Sequence, residues 1–213
     1  MNSVVILASG NGKRAKSNIP KQYIKINKRR IIDYSVKTFS NNKLIEEIIL
    51  VVNKNWVKTI KDEYKNCIVV SGGKTRSESS FNGIKNCRKG CSKVLIHDAA
   101  RPLINQTIIN NCIKYIGKYD CVIPVLSVVD SIINEKNKYL NRKDLKILQT
   151  PQCFNYNNLF KAYNKTKLNF PDDLSVFLNF NSDFKIKYIQ GTKKNFKITL
   201  KDDIELMEKI SEG

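Results

Sequence analysis

Histidine is almost absent from this chain, arginine is scarce and no apolar run is long. Each shortage excludes something. One histidine, His97, among 213 residues leaves no imidazole pair for a metal or for proton shuttling. The six cysteines (Cys67, Cys87, Cys91, Cys112, Cys121 and Cys153) include no C-x-x-C pair and are scattered along the chain. That pattern speaks against a zinc site and for reduced thiols in a cytoplasmic protein, with no metal ligand predicted. No stretch approaches the ~18 apolar residues of a membrane span. The apolar run at 4–8 is too short for a signal-peptide core and follows no basic segment.

What is present suits one folded domain. Hydrophobic residues make up 41% of the chain and charged residues 27%, enough to bury a core. Without an internal repeat or linker, residues 1–213 read as a single domain. The net charge is +19, from 38 basic and 19 acidic residues. A nucleic-acid footprint would gather that charge on one segment. Here the lysines are dispersed along the whole length, which favours a general compositional bias and no nucleic-acid partner. Only seven cations are arginines: Arg14, Arg29, Arg30, Arg76, Arg88, Arg101 and Arg142. Where lysine is the default, an arginine marks a place that needs a planar, bidentate, permanently charged fork.

Apolar periodicity sets the architecture. Buried strands are predicted at 4–8, 47–52, 67–70, 94–96 and 121–125, with helices at 31–39, 55–64, 76–87 and 106–116 between them. This alternation is that of βαβ units, hence an α/β fold with a mostly parallel sheet flanked by helices. Residues 131–134 and 146–149 flank a polar stretch. Together they read as an extended hairpin, a β-arm over about 127–149 that leaves the sheet and packs on a second subunit. Helices near 155–164 and 172–180, a strand at 184–189 and a helix at 201–210 follow.

In such sheets ligands gather beyond the carboxyl ends of the strands. Three motif segments begin where predicted strands stop. The first is Ala8-Ser9-Gly10-Asn11-Gly12-Lys13-Arg14, whose glycines let backbone N–H groups point at an anion. It is neither a Walker loop nor a dinucleotide fingerprint, and a plain glycine turn would also explain it. Pro20-Lys21-Gln22-Tyr23 adds a further cation. The second is Ser71-Gly72-Gly73-Lys74-Thr75-Arg76-Ser77-Glu78-Ser79, which could recognise a base or cap the next helix. The third is His97-Asp98-Ala99-Ala100-Arg101-Pro102. In it Asp98 could hold a metal–phosphate group or hydroxyls, or cap a turn, Arg101 could bind phosphate, and His97 reads as structural. Lys197, in Asn195-Phe196-Lys197-Ile198-Thr199, is expected on a short strand.

Taken in order with Thr150-Pro151-Gln152, these segments resemble the 2-C-methyl-D-erythritol 4-phosphate cytidylyltransferase family, from about residue 4 to 208. The resemblance implies a Rossmann-like nucleotidyltransferase fold, a homodimer clasped by the arms, CTP and a sugar phosphate as substrates, and Mg²⁺ held mainly through the CTP phosphates. By the same resemblance Gly10, Gly12 and Arg14 lie on the triphosphate, and Arg14 and Lys21 stabilise the transition state. Ala8, Ser9, Gly72 and Ser79 line the nucleotide pocket. Asp98, Arg101, Thr150 and Lys197 face the sugar phosphate and the shared phosphoryl region, and Arg142, on the arm, reaches the neighbouring subunit's substrate. Two positions depart from the family pattern: Ser9 replaces an alanine, and Pro171 replaces a threonine whose hydroxyl would bond the sugar phosphate. An ordinary hydrogen bond lost there is worth about 0.5–1.5 kcal/mol, too little to abolish function.

The chemistry fits the inventory. A phosphate monoester has a second pKa near ~6, so at neutral pH it is a dianion and a nucleophile that needs no general base. The obstacle is charge repulsion, which Arg14, Lys21, Lys197 and Mg²⁺ would offset. A ribitol 5-phosphate cytidylyltransferase is the alternative with the same chemistry. A basic nucleic-acid-binding protein and a catalytically silent scaffold are the readings from other classes.

Overall fold

A computed structural model describes residues 1–10, 19–166 and 169–212 of the chain. After β1 (Asn2–Ala8) come a 3₁₀ turn at Lys21–Tyr23 and a small hairpin, β2 (Lys25–Ile26) and β3 (Arg29–Arg30). The alternating part follows: α1 (Ile31–Ser40), β4 (Glu47–Val52), α2 (Val57–Glu63), β5 (Ile68–Ser71), α3 (Arg76–Lys85), β6 (Lys93–Asp98), α4 (Gln106–Tyr115) and β7 (Cys121–Ser127). The last third holds β8 (Ile132–Ile133), β9 (Tyr139–Leu140), β10 (Lys146–Leu148), β11 (Gln152–Asn155), α5 (Tyr156–Lys165), α6 (Asp173–Phe180), β12 (Ile186–Gln190) and α7 (Lys201–Glu212).

β1 lies at the centre of the main sheet, parallel to β4 on one side and β6 on the other, with β5 beyond β4. Its run Val4-Val5-Ile6-Leu7-Ala8 has no polar residue because both faces are covered, as in parallel sheets generally. Val4, Ile6 and Ala8 join Ile32, Val36 and Phe39 of α1, Ile60 of α2 and Ile109 of α4 in one core. Val5 joins Ile84 of α3, Leu159 and Tyr163 of α5 and Phe177 of α6 in the other. The strand's period of two thus divides one apolar run between two cores. α3 approaches closely because Gly83 faces Val5 and Val51: a Cβ there would collide with both side chains.

Beyond β6 the sheet is mixed. β11 pairs with β6 and with residues 121–122 of β7, β10 pairs with residues 125–127 of β7, and β12 runs parallel to β7 over 121–125. A strand has two edges. Since β12 shares partners with both β10 and β11, those two must lie on the opposite edge, as one interrupted strand broken at the cis Thr150–Pro151 peptide.

Three sequence expectations need correction. Segment 146–149 is not the second side of the arm hairpin: β10 returns to the sheet at the arm's base, and β8 pairs instead with β9, inside the polar stretch. β11 is a strand that the sequence did not reveal, because four residues leading straight into α5 show no period. Lys197 sits on an irregular segment and not on a strand, held by the Ile198 N–H donating to the Ala100 carbonyl (2.8 Å) and by burial of Ile198 against Ile26, Ile31 and Met207 of α7.

Candidate active site

The parallel register brings the carboxyl ends of four strands level. Ala8 of β1 stands beside Val52 of β4, Val52 beside Ser71 of β5, and Leu7 beside Asp98 of β6. The loops leaving these ends enclose a cleft of about 550 Å³. Ala8, Ser9, Gly10, Lys21, Ser79, Asp98 and Lys197 line it, seven of the residues expected from the sequence.

Ser79 ties two of the loops together. Its hydroxyl donates to the Thr75 carbonyl (2.9 Å) and accepts from the Ser9 hydroxyl (2.9 Å) and the Gly73 N–H (3.1 Å). α3 starts beside it, with Thr75 as N-cap accepting from Glu78 N–H, and with the Glu78 carboxylate accepting from Lys74 N–H (2.6 Å). Gly72 lies just behind this wall, where a Cβ would strike Ser9 and Ser79.

Asp98 is the electrostatic centre. One oxygen accepts from Nε and Nη2 of Arg76 (3.4 and 3.3 Å), the other from Nζ of Lys197 (2.7 Å). Burial alone would raise its carboxyl, but the Arg76 and Lys197 charges outweigh that and hold it well below the usual carboxylate range. Arg76 continues to the buried Asp173 through Nη1 (2.8 Å), and Asp173 in turn accepts from the Tyr163 hydroxyl (2.6 Å). Burial works against the Arg76 charge, yet Asp173 and Asp98 hold its proton more tightly than in an ordinary arginine.

His97 lies immediately behind the cleft, fully buried. Its Nε2 faces the Arg101 carbonyl (3.1 Å), which can only accept, so the proton is on Nε2 and Nδ1 accepts from the Thr150 hydroxyl (3.1 Å). The same hydroxyl accepts from Asp98 N–H (3.1 Å). Desolvation pushes the imidazole down to about 4, so it is neutral at physiological pH. His97 is structural, as its sequence setting implied.

Other expected residues are placed differently. Thr150 and Arg101 do not line the cleft. Thr150 is turned inward to His97, and Arg101 donates through Nη1 to the Asn195 carbonyl (2.8 Å), its charge disfavoured by burial and only partly restored by Asp98. Arg142 lies on the arm, donating to the Val129 carbonyl (2.7 Å), and is not brought to the cleft. Pro171 is exposed and lines no part of the cleft. Gly12 and Arg14 lie outside the described residues. Conversely, Gln22, Asn53, Lys74, Thr75 and Thr199 line the cleft without having been singled out. Asn53 follows the end of β4 and was reachable by the strand-end rule that found the others.

Among the described residues, Lys21, Lys74, Arg76 and Lys197 line the cleft against a single carboxylate, Asp98. Among the described residues no three His, Cys, Asp or Glu side chains are grouped to cage a metal. The donor set therefore suits a Mg²⁺ bound chiefly by substrate phosphates, to which a protein commonly adds one or two carboxylates. Asp98 is the carboxylate that lines the cleft among the described residues, and its two oxygens are taken by Arg76 and Lys197. Among the described residues the lining is rich in cations, which suits anionic ligands, and no imidazole lines the cleft.

Comparison with known proteins agrees with this fold. The family model for 2-C-methyl-D-erythritol 4-phosphate cytidylyltransferase (IspD) matches residues 2–212. The protein of that name from Clostridium botulinum (strain ATCC 19397 / Type A) is 40% identical, covering 99% of this chain and 97% of its own. The one from Thermosipho melanesiensis is 36% identical, with 99% and 98% covered. The crystal structure of 4-diphosphocytidyl-2C-methyl-D-erythritol synthase from Anaerococcus prevotii superposes with a TM-score of 0.88 at 30% identity, over 100% of this chain and 96% of that one.

Proposed function

The chain belongs to the 2-C-methyl-D-erythritol 4-phosphate cytidylyltransferase family, and from that premise we propose that its strand-end cleft is the seat of the reaction. The enzyme is a nucleotidyltransferase of the non-mevalonate isoprenoid pathway. It transfers CMP from CTP to 2-C-methyl-D-erythritol 4-phosphate, giving 4-diphosphocytidyl-2-C-methyl-D-erythritol and pyrophosphate. The observation that carries the assignment of the site is the convergence of Lys21, Lys74, Arg76 and Lys197 where β1, β4, β5 and β6 end. The family match does not favour ribitol 5-phosphate as the acceptor.

In the reaction, an oxygen of the substrate's phosphate dianion forms a bond to the α-phosphorus of CTP as the α–β anhydride bond breaks and pyrophosphate leaves. No proton has to move, consistent with a cleft whose nearest imidazole is buried, neutral and committed to Thr150 and Arg101. The barrier is the approach of like charges, and fixed cations lower it without reorganising. Lys21 and Lys197 flank the transferring group, with Arg14 as the third cation. Gly10 and Gly12 take the triphosphate, and Ala8, Ser9, Gly72 and Ser79 form the nucleoside wall. Asp98 and Lys197 meet the sugar phosphate, while Thr150 and Arg101 act from one layer back. Mg²⁺, when bound with CTP, adds charge neutralisation at the phosphates.

The arm supports a homodimer. Val129 (62% exposed), Ile133 (50%) and Tyr139 (75%) present apolar surface on an element with almost no core of its own. Arg142, remote from its own cleft, is the arm's cation for a neighbour's substrate. No helix among the described residues is long and apolar enough to cross a membrane, and the six cysteines are free, which supports a cytoplasmic setting.

The test is pyrophosphate release with CTP and Mg²⁺, comparing methylerythritol 4-phosphate with ribitol 5-phosphate, together with Lys21→Ala. Strong preference for the first substrate and a loss of about 10²-fold or more in Lys21→Ala, with the fold intact, are expected. Near-normal turnover in Lys21→Ala would remove Lys21 from the mechanism.

A further inference from the structure

Gln22 is a polar side chain placed where polar side chains rarely go: it is 3% exposed, in the wall of the cleft. Its Nε2 donates to the Ala8 carbonyl (2.6 Å) and the Gly10 carbonyl (2.9 Å). A carboxamide has two N–H donors, and both are used on oxygens that can only accept. The amide therefore cannot be turned over, since its own oxygen would then face two carbonyls. The neighbouring residues make this contact consequential. Lys21–Tyr23 is a single 3₁₀ turn whose N-cap, Pro20, supplies no side-chain hydrogen bond. On one side Tyr23 stacks on Trp56 with ring centroids 4.2 Å apart, and on the other Gln22 grips the end of β1. Lys21, next to Gln22 in the turn, lines the cleft and donates to the Ile198 carbonyl (2.5 Å).

We propose that Gln22 is a positioning residue for the transfer reaction: its carboxamide locks the turn that carries Lys21 onto the end of β1 and so sets where the Lys21 ammonium meets the reacting phosphates. The inference rests on the reading that Lys21 acts on the transferring group. Adjacent Cα atoms are ~3.8 Å apart across a trans peptide, so a shift of Gln22 passes to Lys21 almost undiminished. The same contact fixes the Ala8 carbonyl, and with it the direction of the Ser9 N–H, which lies in the same peptide plane and points the opposite way.

The experiment is a double-mutant cycle between positions 21 and 22, read by pyrophosphate release with CTP, Mg²⁺ and methylerythritol 4-phosphate. Gln22→Met keeps the length of the side chain and removes both donors. It is expected to lower kcat by about 10- to 100-fold, since misplacements near 1 Å cost that much, with KM for the sugar phosphate changed by less than about 3-fold. In a Lys21→Ala background the same substitution is expected to cost less than about 3-fold, because there is no ammonium left to misplace. Equal losses in the two backgrounds, or no loss of kcat in Gln22→Met, would overturn the proposal. If Gln22→Met does not fold, Gln22→Glu, of the same shape with oxygens facing the two carbonyls, is read through the same cycle and against the same limits. Absence of release by the unaltered enzyme would overturn the functional reading itself. Normal turnover in Lys21→Ala, with the unaltered enzyme active, would overturn the role of Lys21 and this inference with it.

Discussion

A chain with one histidine offers an unusually clean test of what burial does to an imidazole. His97 is fully buried, donates from Nε2 to the Arg101 carbonyl and accepts at Nδ1 from Thr150. Desolvation outweighs the Asp98 charge and the Arg101 carbonyl, which favour a protonated ring, and holds its pKa at about 4 against an ordinary 6.5. In the unfolded chain the imidazole takes up a proton as pH falls below ~6.5, whereas in the folded protein it does not until about 4. Over that window the unfolded state binds more protons, so stability rises with pH. The contribution is complete above ~6.5 and is lost progressively on acidification. Integrated between pH 7 and pH 5 the loss is about 2 kcal/mol, or a fall in Tm of about 4–8 °C for a domain of this size. Asp98 does not confuse the reading. Its depressed carboxyl contributes stability that is present above the ordinary carboxylate range and lost only as pH falls below it.

Two measurements on tag-free protein check this. Calorimetry at pH 7 and pH 5 gives the drop in Tm, and His97→Gln, whatever it does to stability at pH 7, should flatten the slope across that interval. Proton NMR then follows the single imidazole directly, and its resonance should not move between pH 7.5 and 5. A resonance titrating near 6.5, or an unchanged slope in His97→Gln, would refute the argument that burial controls this residue.

Two further perturbations test other parts of the structure. Asp98→Asn removes the partner of Lys197 while Arg76 keeps Asp173. Because Lys197 is 39% exposed and can turn to solvent, the expected destabilisation by urea titration is only about 1–2 kcal/mol, but kcat should fall at least about 10-fold as Lys197 loses its anchor. Ile133→Glu combined with Tyr139→Glu places charges on the exposed arm hairpin. If the arms clasp a homodimer as proposed, sedimentation should show dimers for the unaltered protein and monomers for the variant, and an unchanged oligomeric state would exclude this hairpin as the clasp.

Much of this was legible in the sequence because it depends on short-range pattern. An apolar run such as Val4 to Ala8, followed at once by serine and glycine, gives a doubly buried strand and its end together, and the ends of β1, β5 and β6 are where the motifs begin. What was not legible is set by distant partners. Gln22 answers to carbonyls 12 and 14 residues away, and β11 exists because β6 and β7 offer edges to it. Scarcity of arginine was a useful signal but not a specific one. Arg76 engages Asp98 and Asp173 at the cleft, and Arg30 engages Asp33 and Glu63 on the surface of α1 and α2. A fork that satisfies two carboxylates is needed for architecture as well as for binding.

The pairing of Arg76 and Lys197 with Asp98 also bears on how the site can hold so much positive charge. Unpaired, those cations would repel one another and Lys21, and the loops bearing them would relax apart. Asp98 balances one charge at the centre, and Asp173, buried behind, fixes Arg76 from its other side. The acids are thus placed so that each restrains a cation from the protein side and leaves the solvent side of the cleft positive. Asp98 itself is kept ionised by the cations it restrains, so it is charged wherever the substrate phosphate is a dianion. With the cleft as the seat of transfer, as proposed, this would be preorganisation in the electrostatic sense: a field opposing phosphate–phosphate repulsion that is assembled during folding and not when the substrates meet.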